Sequence, residues 1–366
     1  MSFEISKNYI NQRCGLHLKE DQVERNNKKG IVSISRDGSE SFTKCSNHEH
    51  ITREKYDEVV PQIINEFIIA GFSKTQEFFK KNIDVKNKYS HLKKDRVDIN
   101  HITAQKTTNS NKIIKHYMSH LDEVKDHQGN SIQTLWTKEN LIKAFKSLDK
   151  PNRTVNSQFS EIKKALKFSP VTVYSPIMTK TLIQKLNCKN IFDPCIGWGG
   201  RMIGTTCLGD DYHYTGCEPS TETYNGLKKM VSDLSLENQV TLYNKPVEEV
   251  LDTIGNVTYD MCLTSPPYYD LEIYSDEETQ SINRYSTYEI WIQSFIKPII
   301  DYVCSHITKY SCWSVKNFQT DKKYNLLNDV MKLHAENGWK IVDHYSIKKS
   351  VKNGTTDGDI TYVFSK

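Results

Sequence analysis

The chain has 366 residues, of which 37% are hydrophobic, so it can form one or two domains with buried cores. It contains neither a secretory leader nor an apolar run long enough to span a bilayer, so we expect a soluble, intracellular, cytoplasmic protein with no membrane contact. Nine cysteines without regular spacing predict reduced thiols and exclude a disulfide-stabilised extracellular scaffold.

The charge of the chain is unevenly distributed. The net charge is +4, but residues 1–170 contain 30 Lys and Arg against 21 Asp and Glu, whereas residues 171–366 contain 19 against 24. A basic first half joined to an acidic second half indicates that the first half meets a polyanion such as nucleic acid. The alternative is that the many lysines and asparagines reflect an AT-rich genome.

Two Cys-x-x-His pairs, Cys14 with His17 and Cys45 with His48, occur near the start of the chain. Four such ligands could form a tetrahedral structural zinc site. Because structural zinc sites more often use Cys-x-x-Cys pairs, we assign no metal here and leave the question of zinc open. Between the pairs, the alternating segment Gly30–Ser35 predicts a strand that leads into a hairpin turn.

The rest of the first half is predicted to be mainly helical. Apolar residues recur at helical spacing over Ile51–Lys81 and again over 112–148. The stretch between them, 82–113, is rich in lysine and is either a loop that follows a phosphate backbone or a solvated linker. The polar segment Pro151–Ser157 marks a boundary. We therefore predict a mainly helical, basic, nucleic-acid-binding domain over residues 1–160.

The second half, residues 161–366, alternates between strand and helix patterns, which is typical of a parallel sheet with helices on both faces. Ser175 suits the N-cap of its first helix, and Pro176 suits the first helical position. We expect the last two strands to form an antiparallel pair. The segment 269–283 is long enough to be a mobile lid.

A glycine-rich loop follows the first strand of this half. The strand ends at Asp193 and Pro194, and the loop glycines are Gly197, Gly199 and Gly200. Glycines allow a tight turn and a close approach of the backbone to a ligand. The order of strand, glycine-rich loop and helix is how nucleotide sites begin, although the spacing differs from that of dinucleotide-binding loops.

Two later strand ends carry polar groups. The second strand ends at Glu218, whose carboxylate is suited to the two hydroxyls of a ribose. The fourth strand ends in Ser265-Pro266-Pro267-Tyr268, where the two prolines make the turn stiff. A hydroxyl, a carbonyl and an aromatic ring then stand together, as needed to hold the amino group and the face of a planar base. The ordinary alternative is a proline-rich surface turn.

Asp-Pro-x-x-Gly-x-Gly-Gly followed by Ser-Pro-Pro-Tyr resembles the S-adenosylmethionine-dependent amino-methyltransferases that modify cytosine N4 or adenine N6 in DNA. Within that group, the motifs are similar to methylase-like proteins carried by phages and large viruses, and we expect a role in DNA methylation and restriction-modification. The resemblance covers residues 165–366. It implies the α/β class I methyltransferase (Rossmann-like) fold and S-adenosyl-L-methionine as cofactor.

The resemblance also implies roles for single residues. The segment at Ser175 would cradle the methionine part of the cofactor, and Pro246 would lie beside its adenine. The cofactor-binding set is Asp193, Pro194, Gly197, Gly199, Gly200, Glu218, Pro246 and Ser175, and the catalytic set is Ser265, Pro266, Pro267 and Tyr268.

The function implied is methylation of DNA, most simply double-stranded DNA, at an exocyclic amine of a flipped base. Ser265 at the first position of the turn slightly favours cytosine N4 over adenine N6. Any part that reads the target sequence would lie in residues 1–165. Two alternatives stay open: an RNA or protein N-methyltransferase, and a catalytically silent nucleic-acid-binding module.

Overall fold

The computed structural model describes residues 3, 5–6, 22–25, 28–34, 40–44, 53–79, 83–100, 110–148, 166, 171–351 and 354–366. They fall into two compact units. The first unit is drawn from Met1–Asn82 and Asn130–Ser169, and the second from Ile83–Gly129 and Pro170–Lys366. The candidate zinc ligands lie outside the described residues; they are Cys14, His17, Cys45 and His48. The boundary expected at Pro151–Ser157 also lies outside the described residues.

Helices occur in both units. In chain order they are α1 (Arg53–Phe79), α2 (Val85–Lys94), α3 (Asn111–Tyr117), α4 (Lys138–Leu148), α5 (Pro176–Leu186), α6 (Gly200–Thr206), α7 (Thr221–Leu234), α8 (Leu251–Ile254), α9 (Ser281–Arg284), α10 (Tyr288–Trp291), α11 (Lys297–His306) and α12 (Leu326–Glu336). A π-helical segment, Ile292–Ile296, joins α10 to α11. Among the described residues, no helix combines the length and the apolar character needed to cross a membrane.

The strands form two larger sheets and two short pairs. In chain order they are β1 (Gln22–Arg25), β2 (Lys28–Ile34), β3 (Glu40–Lys44), β4 (Lys125–Asp126), β5 (Asn190–Asp193), β6 (His213–Cys217), β7 (Val240–Tyr243), β8 (Tyr259–Thr264), β9 (Glu272–Ile273), β10 (Ile307–Ser314), β11 (Phe318–Gln319), β12 (Lys323–Tyr324), β13 (Lys340–Val351) and β14 (Gly354–Ser365). β4 pairs with β9, and β11 with β12.

The first unit combines a small sheet with a helical core. Strands β1, β2 and β3 pair antiparallel in that order, and β2 is the strand predicted at Gly30–Ser35. The predicted helix over Ile51–Lys81 is α1, which bends at Gly71, where φ is 75°. Its apolar face packs against α4 through side chains that are buried throughout, including Phe67 and Phe145.

The second unit is built on a seven-stranded sheet of order β13-β14-β10-β8-β5-β6-β7. Strands β10, β8, β5, β6 and β7 run parallel, and β14 is antiparallel to both of its neighbours. The chain leaves β5 towards β7 and then returns to β8 on the other side, so the order reverses between β5 and β8. This is the class I methyltransferase (Rossmann-like) fold, as predicted, including the final antiparallel pair.

Both faces of this sheet are covered, because successive residues of its central strands enter different cores. Ile191 of β5 and Met261 of β8 are buried in one core together with α5, α6 and α7. Their neighbours Phe192 and Cys262 are buried in the other core with α10, α11 and α12. The period of two in a strand therefore explains why these strands are apolar throughout rather than alternating.

The segment Ile83–Gly129 differs from the sequence prediction, which placed it in the N-terminal domain. Over Val85–Lys94 it is a helix, neither a loop nor a linker, and Tyr89 and Leu92 are buried in the core of the second unit. The Tyr89 hydroxyl donates to Thr206 Oγ1 over 2.9 Å. Lysines surround these few apolar residues in the sequence and obscured the helical pattern.

A buried lysine fixes the end of α2. Lys180 Nζ on α5 donates to the carbonyls of Leu92, Lys93 and Asp95 at 2.7, 3.0 and 2.7 Å. The last carbonyls of a helix have no partner within it, and a cation there both satisfies them and suits the helix dipole. Lys180 therefore ties α2 to the sheet unit.

Replacing Lys180 by Met should lower the free energy of unfolding by roughly 2–3 kcal/mol, because three carbonyls at the end of α2, one buried and two partly buried, lose a charged donor. The matched control is Lys185→Met on the same helix, where the lysine is exposed and donates to one carbonyl, that of Ile99. We expect the control to change the value by no more than about 0.5 kcal/mol. Urea unfolding measures both, and equal effects would contradict the role given to Lys180.

Candidate active site

The turns singled out in the sequence lie side by side at the carboxyl edge of the sheet. β5 pairs with β8 through Phe192 and Cys262, and with β6 through Asp193 and Gly216. Thr264, the last residue of β8, pairs in turn with Trp313 of β10. The loops that follow β5, β6 and β8 therefore leave neighbouring strands at the point where the strand order reverses, which is where open α/β sheets bind ligands.

A fully buried carboxylate holds this edge together. Asp193 accepts hydrogen bonds from Arg201 Nε at 2.6 Å and from the hydroxyls of Tyr214 and Thr264 at 2.5 and 2.9 Å. The backbone N–H of Cys195 donates to it at 3.1 Å. These partners come from α6, β6, β8 and the glycine-rich loop, so Asp193 positions the site while its oxygens are occupied by protein groups.

Arg201 is the partner that the sequence pattern did not reveal. Its guanidinium also donates to the carbonyls of Cys195 and Ile196, and it lies 5.3 Å from the centroid of the Tyr174 ring. It is 4% exposed. A single cation in the otherwise apolar start of α6 was the available signal, since charged side chains are almost never buried unless paired.

The loop glycines are required by geometry at two of the three predicted positions. Gly199 has φ 82°, and a Cβ there would lie 2.7 Å from Leu227. A Cβ on Gly200 would lie 2.0 Å from the carbonyl oxygen of Tyr174. The segment before α5 is thus pressed against the loop, which brings Ser175 to the site; the Ser175 side chain makes no capping bond, and its carbonyl accepts from Thr179.

Gly197 is the glycine with open space around it. Its φ is 57°, and an added Cβ would meet no atom within 4 Å. Its N–H donates to Glu218 Oε2 over 3.0 Å, and the N–H of Ser220 donates to Oε1 over 2.9 Å. Burial raises the pKa of Glu218 to about 8, against the lowering effect of these two hydrogen bonds. Each carboxylate oxygen keeps a further lone pair.

The turn after β7 is tied to the turn after β6. Asn244 Nδ2 donates to the carbonyls of Glu218 and Pro219 at 3.0 and 3.3 Å. The predicted Pro246 follows, is buried, and starts the short helical turn Val247–Glu249. The structure thus brings the three predicted turns of the cofactor set to one edge.

The Ser-Pro-Pro-Tyr turn continues β8. Ser265 is half-buried, and its hydroxyl donates to the carbonyl of Ser314 over 3.2 Å. Ser314 ends β10, so the hydroxyl proton points away from the glycine-rich loop. That bond uses the only proton of the hydroxyl, so its oxygen can act towards any further group only as an acceptor. Pro266 is buried and Pro267 is half-buried beside it.

The ring of Tyr268 is held by the β11–β12 hairpin. It meets Phe318 edge to face at 5.5 Å between centroids, and Lys316 Nζ lies 5.7 Å from its centroid. The next residue, Tyr269, has φ 36°, a left-handed conformation that is uncommon for a buried aromatic residue. Backbone of this kind persists where the surroundings enforce it, and it concentrates at functional turns.

The segment expected to be a lid is anchored by hydrogen bonds. The Asp270 carboxylate accepts from the hydroxyls of Thr320 and Tyr324 at 3.0–3.1 Å. Further along, β9 pairs with β4, which lies in the segment 110–129. His120, from the same segment, bonds Thr223 Oγ1 at 2.8 Å beside Trp198, and burial lowers its pKa. The sequence pattern indicated only helical core for this segment.

No protein-family model and no curated protein matches this chain. Solved structures similar to it include the precorrin-6y C5,15-methyltransferase of Geobacter metallireducens, at 13% identity, 51% of this chain, 85% of that chain and a TM-score of 0.35. The SAM-dependent O-methyltransferase of Thermotoga maritima has 11% sequence identity and a TM-score of 0.35, and the match covers 54% of this chain and 67% of that chain. TrmN of Thermus thermophilus has 11% sequence identity and a TM-score of 0.36, and the match covers 59% of this chain and 54% of that chain. At such values it is the strand order of this chain that defines its fold.

Replacing Gly200 by Ala should lower the free energy of unfolding by about 3 kcal/mol or more, because the new methyl group overlaps a backbone carbonyl that cannot rotate away. Gly197→Ala is the control, since it meets no atom and has only its left-handed φ to overcome, at about 1 kcal/mol. Urea unfolding of both variants measures the difference. A smaller effect at Gly200 than at Gly197 would mean that the segment at Tyr174 does not press on the loop.

Proposed function

We propose that this protein transfers a methyl group from S-adenosyl-L-methionine to the exocyclic amine of a base in DNA. The observation that carries the proposal is the acceptor-only hydroxyl of Ser265 at the end of β8. It lies one strand away from the glycine-rich loop that follows β5, and the Gly197 N–H of that loop donates to Glu218 at the end of the next strand, β6. An amine-binding turn beside a nucleotide-type loop is the arrangement that such a reaction needs.

The residues at the glycine-rich loop fit the proposed cofactor. Gly197 leaves open space where a side chain would stand, and Glu218 keeps one lone pair on each oxygen for the hydroxyls of a ribose. Ser175 and the start of α5 would face the methionine part, where a helix N-terminus favours a carboxylate. Pro194, Gly199 and Gly200 would shape the loop, Pro246 would lie beside the adenine, and Asp193 would hold the loop in place.

When bound, S-adenosyl-L-methionine supplies a methyl group attached to a positively charged sulfur. As the amine nitrogen bonds to the methyl carbon, the carbon–sulfur bond breaks and its electron pair stays on sulfur, and the nitrogen releases a proton to water. The chain has to hold that amine. Ser265 Oγ and the Pro266 carbonyl would accept hydrogen bonds from the two N–H groups of the amine. These bonds would draw the nitrogen towards tetrahedral geometry and localise its lone pair. Fixed acceptors of this kind and correct alignment supply most of the acceleration. Pro267 would keep the turn rigid.

The substrate proposed is double-stranded DNA with a base flipped against Tyr268. The ammonium of Lys316 beside that ring, and the exposed Lys322 and Lys323 of the β11–β12 hairpin, suit a phosphate backbone. Ser265 favours cytosine N4 over adenine N6 as the acceptor. The division into a nucleic-acid-binding domain over 1–160 and a methyltransferase domain over 161–366 stays part of the proposal, with Ile83–Gly129 moved to the methyltransferase unit.

Ser265→Ala should reduce methyl transfer by roughly 10²–10³-fold, because the amine loses one of its two fixed acceptors. Tyr268→Ala should also abolish most of the activity. Both variants should still bind S-adenosylhomocysteine by calorimetry. The assay measures labelled methyl incorporation into duplex DNA, RNA and a protein mixture, followed by mass identification of the methylated nucleoside.

The control for this experiment is Ser232→Ala, which removes an exposed serine of α7 and should leave methyl transfer unchanged. Incorporation into RNA or protein but not DNA would select one of those substrates instead. Cofactor binding without transfer to any of the three would indicate a binding module. Unchanged transfer by Ser265→Ala would show that the amine is held elsewhere.

Cofactor binding should release protons near neutral pH. The pKa of Glu218 is about 8 without ligand, so the carboxyl is largely protonated at pH 7. Ribose hydroxyls that donate to it favour the ionised form and lower that pKa. The affinity for S-adenosylhomocysteine should therefore rise as the pH is raised towards 8, by at most roughly tenfold per pH unit.

Calorimetry at pH 7 in buffers of different ionisation enthalpy measures this proton release. Glu218→Gln should remove the release and flatten the dependence of affinity on pH. Binding of equal strength at pH 6 and pH 8 in the unmodified protein would contradict a ribose contact by Glu218.

A further inference from the structure

The segment 277–285, called the bridging segment here, connects two turns of the candidate cofactor site. Its first part is fixed to the turn after β6. The Glu277 carboxylate accepts from the backbone N–H of Thr221 at 3.1 and 3.2 Å and from its hydroxyl at 3.0 Å. The Thr279 hydroxyl donates to the carbonyl of Pro219 over 3.2 Å.

The second part of the bridging segment is fixed to the turn after β7. Arg284 forms ion pairs with Glu248 at 3.3 Å and with Glu249 at 2.5 Å. The Tyr285 hydroxyl donates to Glu248 over 2.8 Å. Because Glu248 and Glu249 closely follow Pro246, the bridging segment spans from the proposed ribose contact to the place proposed for the adenine.

Gln280 lies in the middle of this bridge with an unused donor. The residue is 7% exposed, and its side-chain Nε2 is buried with no hydrogen-bond partner among the described residues. Arg284 N–H donates to the Gln280 carbonyl, so the two residues are one helical turn apart. A buried amide nitrogen without a partner is destabilising, so such groups usually serve a ligand or a bound water.

Glu248 provides an unused acceptor on the facing turn. Its Oε1 carries the contacts from Tyr285 and Arg284, while Oε2 is buried with no partner among the described residues. Arg284 links Glu248 to the helical turn that starts at Gln280. One unsatisfied donor and one unsatisfied acceptor therefore stand on two connected elements at the adenine side of the site.

We propose that Gln280 Nε2 and Glu248 Oε2 bind the edge of the cofactor's adenine, an inference that rests on the function proposed above. An adenine edge presents a ring nitrogen that accepts and, next to it, an amino group that donates. Gln280 donates to the ring nitrogen, and Glu248 accepts from the amino group. That ring nitrogen is N1: hypoxanthine carries a hydrogen on N1 and an oxygen in place of the amino group, which reverses the pattern at this edge, so the pair also selects against an inosine nucleoside.

The test compares binding of S-adenosylhomocysteine and S-inosylhomocysteine by calorimetry, with no methyl acceptor present. The unmodified protein should bind the adenosyl compound at least tenfold more tightly, because the inosyl compound leaves buried polar groups unpaired. Gln280→Leu should weaken adenosyl binding by roughly 10–100-fold. Gln280→Glu keeps the shape, replaces the donor with an acceptor, and should shift the preference towards the inosyl compound.

Gln293→Leu is the control, because Gln293 is exposed and lies outside the bridging segment; it should bind as the unmodified protein does. If the unmodified protein binds neither compound, both the proposed cofactor and this inference fail. If it binds both compounds equally, the inference alone fails, whether or not the variants fold. The inference alone also fails if the unmodified protein prefers the adenosyl compound and both Gln280 variants keep that preference.

Discussion

The buried Asp193 carboxylate is the interaction on which the rest of the site depends. Its ion pair with Arg201 and its bonds from Tyr214 and Thr264 join one helix and two strands at the point where the strand order reverses. Burying a charge is costly unless partners compensate it fully, and removing one partner leaves that cost exposed. The site is therefore stiff because displacing any one of these partners leaves the buried charge incompletely compensated.

This stiffness matters for the chemistry proposed. Methyl transfer requires two reactants to be held in line, and small displacements reduce the rate strongly. The glycine-rich loop is held by hydrogen bonds from Arg201 and by contact with the Tyr174 backbone, and the Ser-Pro-Pro-Tyr turn is stiffened by its prolines. Both halves of the site thus begin at the ends of paired neighbouring strands, and the sheet sets their positions.

Much of this arrangement could be predicted from the sequence, and the reasons for the misses are physical. Strand ends at Asp193 and Glu218 were recognisable because apolar runs stop abruptly at a polar or glycine-rich turn. The role of Arg201 was missed because its partner lies on the strand before it and only packing brings the two together. The placement of α2 was missed because long-range burial of Tyr89 and Leu92 leaves a weak local pattern among lysines. Gln280 has no local signal, since an unpaired buried amide exists only once the chain is folded.

The bond between Ser265 and Ser314 has a consequence for how this turn can vary. The acceptor is a main-chain carbonyl of β10, placed opposite the turn by strand register and not by the identity of any side chain. Substitutions at position 314 that preserve the strand should leave the Ser265 hydroxyl donating to the same main-chain carbonyl. A one-residue shift in the register between β8 and β10 would remove that carbonyl from the hydroxyl. Pairing of β10 with β14 on its other side opposes such a shift. The ability of Ser265 Oγ to accept a hydrogen bond from a further group thus depends on the backbone of the sheet, and a single side-chain substitution in β10 would not remove it.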